Sequence, residues 1–172
     1  MADIRRIAVI GTGIMGAPMA GRLAEAGFSV KAWNRSAERA TVLAAKGVQP
    51  AATAAEAVIE ADVVLCMLSS GPVCDEVLLG ASGVVSTMKP GAFLLVMSSI
   101  PVDSAREQAE TAKAQGVAYV DTPVSGGEKV ATEGTLAIMA GGEQRDVDAL
   151  RPLLNCLGSV THVGPVGCGS LA

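Results

Sequence analysis

Short, nearly continuous apolar runs alternate along the chain with segments in which apolar residues recur at helical spacing. The runs contain few polar positions, which is typical of strands buried on both faces of a parallel sheet. They lie at residues 4–10, 28–33, 62–67, 91–97, 117–120, 135–140 and 160–163. Between the first two runs, Met15, Met19 and Leu23 recur every four residues and predict a helix over residues 14–26. The alternation predicts an α/β fold with a doubly wound, mostly parallel sheet.

Start and stop signals predict the other helices. Gly47 closes a predicted helix at 37–45, Pro72 opens one after the third strand, and Gly116 ends one that runs to residue 115. Thr53 and Glu56 form a capping box, to which we assign only a structural role. A last helix is predicted at 143–154. Because the connections are short and no repeat is present, we expect a single domain over residues 1–164.

The first strand passes directly into a glycine-rich turn and then into a helix. The turn has the pattern Gly-x-Gly-x-x-Gly, in which Gly11 permits the tight turn, Gly13 leaves room for phosphates and Gly16 allows the helix to pack on the strand. The helix that follows directs its free N–H groups and its positive dipole end at an anion. The sequence therefore predicts a dinucleotide site made by Gly11, Thr12, Gly13, Ile14, Met15 and Gly16. The competing interpretation is an ordinary tight turn.

The second strand ends in Asn34-Arg35-Ser36, where an NAD-binding unit is expected to carry an acidic residue for the ribose 2′-hydroxyl. No acidic residue lies between Glu25 and Glu38. Arg35 is suited to a bidentate contact with a 2′-phosphate, with Asn34 and Ser36 adding hydrogen bonds. This pattern predicts NADP(H) as the cofactor, with NAD possible. The alternative is that Ser36 only caps the next helix and Arg35 is solvated.

Loops at the carboxyl ends of parallel strands lie on the ligand side of such a sheet. Leu68 and Ser69 follow the third predicted strand and are candidate neighbours of the cofactor. Ser98 follows the next strand and is a candidate for the nicotinamide end, although it could equally be the N-cap of the following helix.

Residues 121–127, Asp-Thr-Pro-Val-Ser-Gly-Gly, follow another predicted buried strand. Such a segment suits a fixed loop that offers backbone N–H groups and a hydroxyl to a carboxylate, and it equally suits an ordinary Pro/Gly turn. His162 lies among apolar neighbours in the last predicted strand, and we interpret it as structural.

Composition narrows the function classes. Half of the 172 residues are hydrophobic, 17% are charged, and the formal net charge is −4 without a basic cluster. This argues against binding to nucleic acid or to an anionic membrane surface. The apolar runs are too short to span a bilayer, and no signal peptide is evident. Four cysteines without Cys-x-x-Cys spacing and a single histidine argue against a metal site and favour reduced thiols in a cytoplasmic protein.

Taken together, these stretches resemble the β-hydroxyacid dehydrogenase family, which includes enzymes of the 3-hydroxyisobutyrate dehydrogenase and tartronate semialdehyde reductase type. The resemblance rests on residues 11–20, 97–99, 121–127, 134–139 and 164–169. It implies NAD(P)-dependent oxidation of a 3-hydroxy acid, or reduction of the matching semialdehyde. It also implies that Ser125, Gly126 and Gly127 hold the substrate carboxylate and that Ser98 lies near the nicotinamide. The Asn34-Arg35-Ser36 segment matches the pattern of the NADP-preferring members.

Several positions depart from the family pattern. Val96, Thr122 and Val130 replace residues that are usual there, and Val130 puts the path of the 121–127 loop in question. The family's proton-donating lysine would follow residue 172, on a helix expected to begin within residues 165–172 and to lead into a helical domain. We therefore expect a cofactor-binding domain without the catalytic lysine, inactive by itself, from a parent that forms a homo-oligomer through the helical domain. A nucleotide-binding sensor and the cofactor domain of an imine reductase are the alternative functions.

Overall fold

A computed structural model describes residues 3–171; the outer ends of the predicted segments 1–164 and 165–172 lie outside this range. The strands are β1 (Arg6–Ile10), β2 (Ser29–Trp33), β3 (Gln49–Pro50), β4 (Val63–Cys66), β5 (Phe93–Val96), β6 (Ala118–Asp121), β7 (Val124–Ser125), β8 (Leu136–Gly141) and β9 (Gly158–Gly164). The helices are α1 (Gly16–Glu25), α2 (Ala37–Thr41), α3 (Ala54–Val58), α4 (Gly71–Leu79), α5 (Val102–Ala114), α6 (Gly127–Glu133), α7 (Gln144–Leu154) and α8 (Cys168–Leu171). Two 3₁₀ segments span Val42–Lys46 and Val84–Thr87.

The strands form one sheet in the order β3-β2-β1-β4-β5-β6-β8, with β9 on the far side of β8. The pairs from β3 to β6 are all parallel, whereas β8 runs antiparallel to β6 and β7. The predicted fold class is confirmed.

Both faces of the parallel strands are buried, as their apolar runs predict. Ile7 and Val9 belong to a core on one face of the sheet, and Ala8 and Ile10 belong to a second core on the other. The same division by alternate residues continues through β4 and β5. Because helices cover each face, the sheet is doubly wound, and its carboxyl edge is left free to carry loops.

The register places the carboxyl ends of the strands level with one another. Ile10 pairs with Trp33 and Cys66, Cys66 with Val96, and Val96 with Asp121. Neighbouring strands lie about 4.8 Å apart, so the end of β6 is roughly 14–15 Å along this edge from the end of β1. The predicted cofactor loops and the 121–127 loop therefore share one edge of the sheet.

Some element predictions are wrong in detail. The helix predicted at 37–45 is α-helical only to Thr41 and then tightens into a 3₁₀ turn that ends at Gly47, whose φ is +83°. Helix α6 was not predicted, because a seven-residue helix with Val130 and Ala131 as its apolar contacts is too short to show helical periodicity. No described helix is long and apolar enough to cross a membrane.

Candidate functional site

The glycine loop, residues 11–16, is held tightly against the ends of β2 and β4. Gly11 has φ +100° and donates its N–H to Trp33 O at 2.9 Å. A Cβ on Gly11 would overlap the carbonyl oxygen of Met67, and a Cβ on Gly16 would overlap the carbonyl oxygen of Gly11. These two glycines are therefore required by the fold itself.

Gly13 differs, because its side-chain position faces open space. The nearest atom to a Cβ placed there is Arg39 Nη1, at 3.9 Å. Helix α1 begins at Gly16, and its N-cap residue, Met15, makes no side-chain cap hydrogen bond within the described chain. Within α1, Ala17 already donates its N–H to Gly13 O at 3.0 Å and Pro18 has no N–H, so the N–H groups without a backbone acceptor in the described chain are those of residues 13–16. These groups are left for an anion, and the room in front of Gly13 allows that anion to approach them.

Thr12 and Asn34 join the glycine loop to the end of β2. Thr12 donates its N–H to Asn34 Oδ1 at 2.9 Å, and Asn34 Nδ2 donates to Ser36 O at 3.1 Å. The Asn34 side chain thus holds the glycine loop and the segment after β2 in place, whether or not it also contacts a ligand. Thr12 Oγ1 is buried and has no hydrogen-bond partner among residues 3–171. Because a buried hydroxyl without a partner is costly, this atom fits a site that a polar ligand completes.

A cleft of about 260 Å³ opens between the glycine loop, the end of β2 and the start of α4. Six of the twelve predicted cofactor residues line it, whereas Thr12, Ile14, Met15, Gly16, Ser36 and Ser98 do not. Its lining residues are Gly11, Gly13, Trp33, Asn34, Arg35, Arg39, Met67, Leu68, Ser69, Val73 and Val77. Larger cavities exist, including one of about 670 Å³ beside Phe28 and Phe93, but that one lies at the amino ends of the strands. Ligands of open α/β sheets bind outside the carboxyl ends, so the smaller cleft is the candidate site.

Two arginines face this cleft. Arg35 is exposed, and its Nη2 lies 3.7 Å from Glu76 Oε2 of α4. Arg39, which the sequence analysis missed, lies in α2, four residues further along the chain, and approaches Gly13. The available signal was a second arginine in the first turn of the predicted helix that directly follows Arg35.

The sequence also allowed Ser36 to serve only as the N-cap of the following helix, α2. Ser36 occupies the N-cap position of α2 with an extended backbone, but its side chain makes no cap hydrogen bond within the described chain. A capping role therefore does not account for Ser36.

Ser98 is 1% exposed and links two strand ends. Its Oγ accepts the N–H of Leu68 at 2.7 Å and donates to Cys66 O at 3.5 Å. The interpretation of Ser98 as a helix N-cap is wrong, because α5 begins only at Val102 and its N-cap residue is Pro101. Its hydroxyl instead fixes the Leu68–Ser69 loop that lines the cleft.

Two buried thiols lie behind the same loop. Cys66 Sγ donates to Cys74 Sγ at 3.9 Å, and both residues are free cysteines with fully buried side chains. This hydrogen bond, together with burial, raises the pKa of the Cys66 thiol well above its ordinary value. Cys66 therefore stays protonated and packs as part of the core.

The 121–127 loop presents Ser125, Gly126 and Gly127 on the surface at the start of α6. Gly126 has φ +144°, and a Cβ there would lie 2.5 Å from Val130 Cγ1. Val130 thus fills the space beside Gly126, so the unusual residue at 130 is accommodated by a glycine that has no side chain.

Asp121, at the head of this loop, is a buried carboxylate whose role the sequence analysis missed. It accepts hydrogen bonds from Gly167 N at 2.8 Å, from Ser170 N at 2.8 Å and from Ser170 Oγ at 2.9 Å. A Cβ on Gly169 would overlap Asp121 O, so α8 packs directly on the end of β6. No local sequence signal connects residue 121 with residues 167–170.

Comparisons with known proteins agree with this geometry. Residues 6–164 match the family model described as the NAD binding domain of 6-phosphogluconate dehydrogenase. NAD-dependent L-serine dehydrogenase of Pseudomonas aeruginosa is 37% identical over 170 residues, which cover 98% of this chain and 57% of the relative. A probable 3-hydroxyisobutyrate dehydrogenase of Mycobacterium tuberculosis is 38% identical over 167 residues, covering 96% of this chain and 56% of the relative.

The fold is shared with a solved structure of Mycobacterium tuberculosis 3-hydroxyisobutyrate dehydrogenase with L-serine. The TM-score is 0.93 at 36% sequence identity, over 98% of this chain and 57% of that one. The chain thus spans a little over half the length of these relatives. The cleft, the sheet order and these matches agree: the chain belongs to the family of the NAD-binding domain of 6-phosphogluconate dehydrogenase, in its branch similar to 3-hydroxyisobutyrate dehydrogenase.

Proposed function

We propose that this chain is the NADP-preferring cofactor domain of a dehydrogenase that oxidises a 3-hydroxy acid or reduces the matching semialdehyde. The observation that carries the cofactor preference is the pair Arg35 and Arg39 at the end of the cleft where NAD-binding units place an acidic residue. The family match supports nicotinamide dinucleotide binding in general.

The residues of the cleft fit such a cofactor. The N–H groups of residues 13–16 and the open side of Gly13 suit a pyrophosphate, and the Thr12 hydroxyl, which has no partner among the described residues, adds a polar contact. Val73 and Val77 give the cleft an apolar wall for a planar base. When bound, the cofactor supplies or accepts the hydride.

The 121–127 loop is proposed to hold the substrate. Ser125 offers a hydroxyl, and the backbone at Gly126 and Gly127 offers N–H groups, to a carboxylate that lies along the same sheet edge as the cofactor loops. Holding substrate and cofactor in one geometry is the contribution expected of these residues. Ser98 is proposed to support the nicotinamide end by fixing the Leu68–Ser69 loop.

Helix α8 is proposed to be the beginning of the helix that connects to the substrate-closing part of the parent enzyme, with residues 1–164 forming the cofactor domain. The general acid that the family resemblance implies is not among the 172 residues. We therefore expect the isolated chain to bind the cofactor and to show little turnover, because general acid catalysis contributes about 10²–10⁴-fold. Oligomerisation of the parent through its further part remains a prediction.

Calorimetric titration of the chain with NADPH and, separately, NADH at low salt tests the proposal. We expect NADPH to bind about 10–100-fold more tightly, since a charge-assisted hydrogen bond contributes roughly 1.5–3 kcal/mol. Tighter binding of NADH would contradict the cofactor preference alone. Binding of neither would contradict the dinucleotide site.

A further inference from the structure

An acidic residue reaches the cofactor cleft from an element other than β2. The end of β2 carries Arg35 where a carboxylate is expected, yet Glu76 of α4 places Oε2 at 3.7 Å from Arg35 Nη2. The two side chains are 72% and 69% exposed. A positively and a negatively charged side chain therefore lie next to each other at the rim of the cleft.

The position of Glu76 on α4 follows from the helix itself. Ser70 caps α4, accepting the N–H of Val73, immediately after the Leu68–Ser69 loop. Val73 and Val77 line the cleft, and Glu76 lies three residues after the first and one before the second. Residues three apart share a helix face, so Glu76 stands at the border of the face that lines the cleft.

The exposed ion pair leaves Arg35 free to exchange its partner. Such pairs contribute little to stability, because water screens them and both side chains lose freedom in forming them. A 2′-phosphate that binds Arg35 would displace the Glu76 carboxylate and be repelled by it. A ribose 2′-hydroxyl, in contrast, can donate a hydrogen bond to a carboxylate.

We propose that Glu76 is a specificity-determining residue that narrows the preference for NADP over NAD, by competing with the 2′-phosphate for Arg35 and by favouring a free 2′-hydroxyl. This inference rests on the proposed dinucleotide function. It assigns to α4 the acidic group that dinucleotide-binding units usually carry at the end of the second strand.

The substitution Glu76→Gln tests it, with Kd measured by calorimetry for NADPH, NADH and adenosine 2′,5′-bisphosphate. We expect the ratio of NADPH to NADH affinity to rise about 3–5-fold, mainly through tighter NADPH binding. This factor corresponds to the energy of one exposed ion pair, which the 2′-phosphate no longer has to break. Adenosine 2′,5′-bisphosphate should gain by a similar factor, since it carries the 2′-phosphate without the nicotinamide.

Glu60→Gln is the matched control, because it removes the same charge from an exposed site before β4, at the opposite edge of the sheet. The ratio of NADPH to NADH affinity in Glu60→Gln should equal that of the unmodified chain. An unchanged or lower ratio in Glu76→Gln, or an equal rise in Glu60→Gln, would overturn the role of Glu76 while leaving the proposed function intact. If the unmodified chain binds neither dinucleotide, both proposals fail; if it prefers NADH, a raised ratio in Glu76→Gln still supports this one.

Discussion

The two parts of the sheet are built differently. From β3 to β5 the strands are parallel, and the residues of β4 are fully buried on both faces. From β6 onward the sheet is mixed, and β9 alternates between half-buried and exposed positions. Glycines pack against carbonyl oxygens in both parts, at Gly11 and Gly16 in the first and at Gly158 and Gly169 in the second, but the second part also holds α8 through one buried carboxylate, Asp121.

This difference shows how each part of the proposed site is fixed. In the first part the glycine loop has almost no freedom, because carbonyl oxygens lie where side chains would be. In the second part the position of α8 depends on the length and the two acceptor oxygens of a single side chain, that of Asp121. An added methyl group at Gly11 should therefore damage the first part, and removal of the Asp121 carboxylate should damage the second.

The largest effect is expected for Gly11→Ala. The new Cβ would overlap Met67 O at a backbone φ of +100°, so we expect a loss of about 3 kcal/mol or more in the free energy of unfolding. Gly13→Ala is the matched control within the same loop, because its Cβ meets nothing closer than 3.9 Å. We expect it to change stability by less than about 0.5 kcal/mol and to lower NADPH affinity at least about tenfold.

Urea unfolding and calorimetry on both variants measure this contrast. Equal losses of stability in Gly11→Ala and Gly13→Ala would show that the two glycines do not have the separate roles assigned to them. Full NADPH affinity in a folded Gly13→Ala variant would argue against pyrophosphate binding beside Gly13.

Asp121→Ala is expected to have the next largest effect. It leaves the buried N–H groups of Gly167 and Ser170 without an acceptor, so we expect a loss of about 2–3 kcal/mol in the free energy of unfolding. The rate of hydrogen exchange at these two amides should increase more than the exchange rate of the amides in β1. Ser170→Ala removes only the contact from the hydroxyl and should show a smaller loss; equal protection of α8 in all three proteins would contradict the anchoring role.

A smaller, pH-dependent effect is expected at Asp62, which holds the amino end of the first part. Its carboxylate accepts hydrogen bonds from Arg5 N, Arg6 N and Lys89 Nζ at 2.9, 2.8 and 2.7 Å. Burial raises the pKa of Asp62, but the bonds from Lys89 and the two backbone N–H groups outweigh it and hold the pKa below its usual range. The stabilisation is therefore present above the unfolded-state value and is lost as pH falls through the folded-state value.

Asp62→Asn should accordingly lower the free energy of unfolding by about 1–2 kcal/mol at pH 7, and by progressively less below about pH 4. Urea unfolding at pH 7 and pH 3 measures the difference. If Asp62→Asn lowers the free energy of unfolding by the same amount at both pH values, the charge of Asp62 contributes nothing to stability.

The two parts also differ in how far the sequence predicts them. Apart from β3, the parallel strands were predicted within about three residues at each end, since continuous apolar runs leave few other structures. Strand β3 has two residues and could not be detected from periodicity. Helix α6 and strand β7 were missed, because their short segments depend on contacts with β8 rather than on their own pattern.

In the candidate site, too, residues in local motifs were predicted, and contacts between distant residues were not. The glycine loop and Arg35 follow from local motifs and lie in one cleft, as expected from spacing alone. The ion pair of Arg35 with Glu76 joins two separate elements, and Asp121 meets residues more than forty positions away. Such contacts are set by packing, which no local pattern records. Ser98 was placed at the correct edge, but its bonds to Leu68 and Cys66 emerged only from the folded chain.

The central claim is that the arginines at the end of β2 select a 2′-phosphate. Its most direct test is the ratio of NADPH to NADH affinity in Arg35→Leu, compared with the control Arg145→Leu, which removes an exposed arginine outside the cleft. The ratio should fall about 10-fold or more in Arg35→Leu, through weaker NADPH binding alone, and stay unchanged in the control. An equal ratio in both variants would contradict the assignment of Arg35.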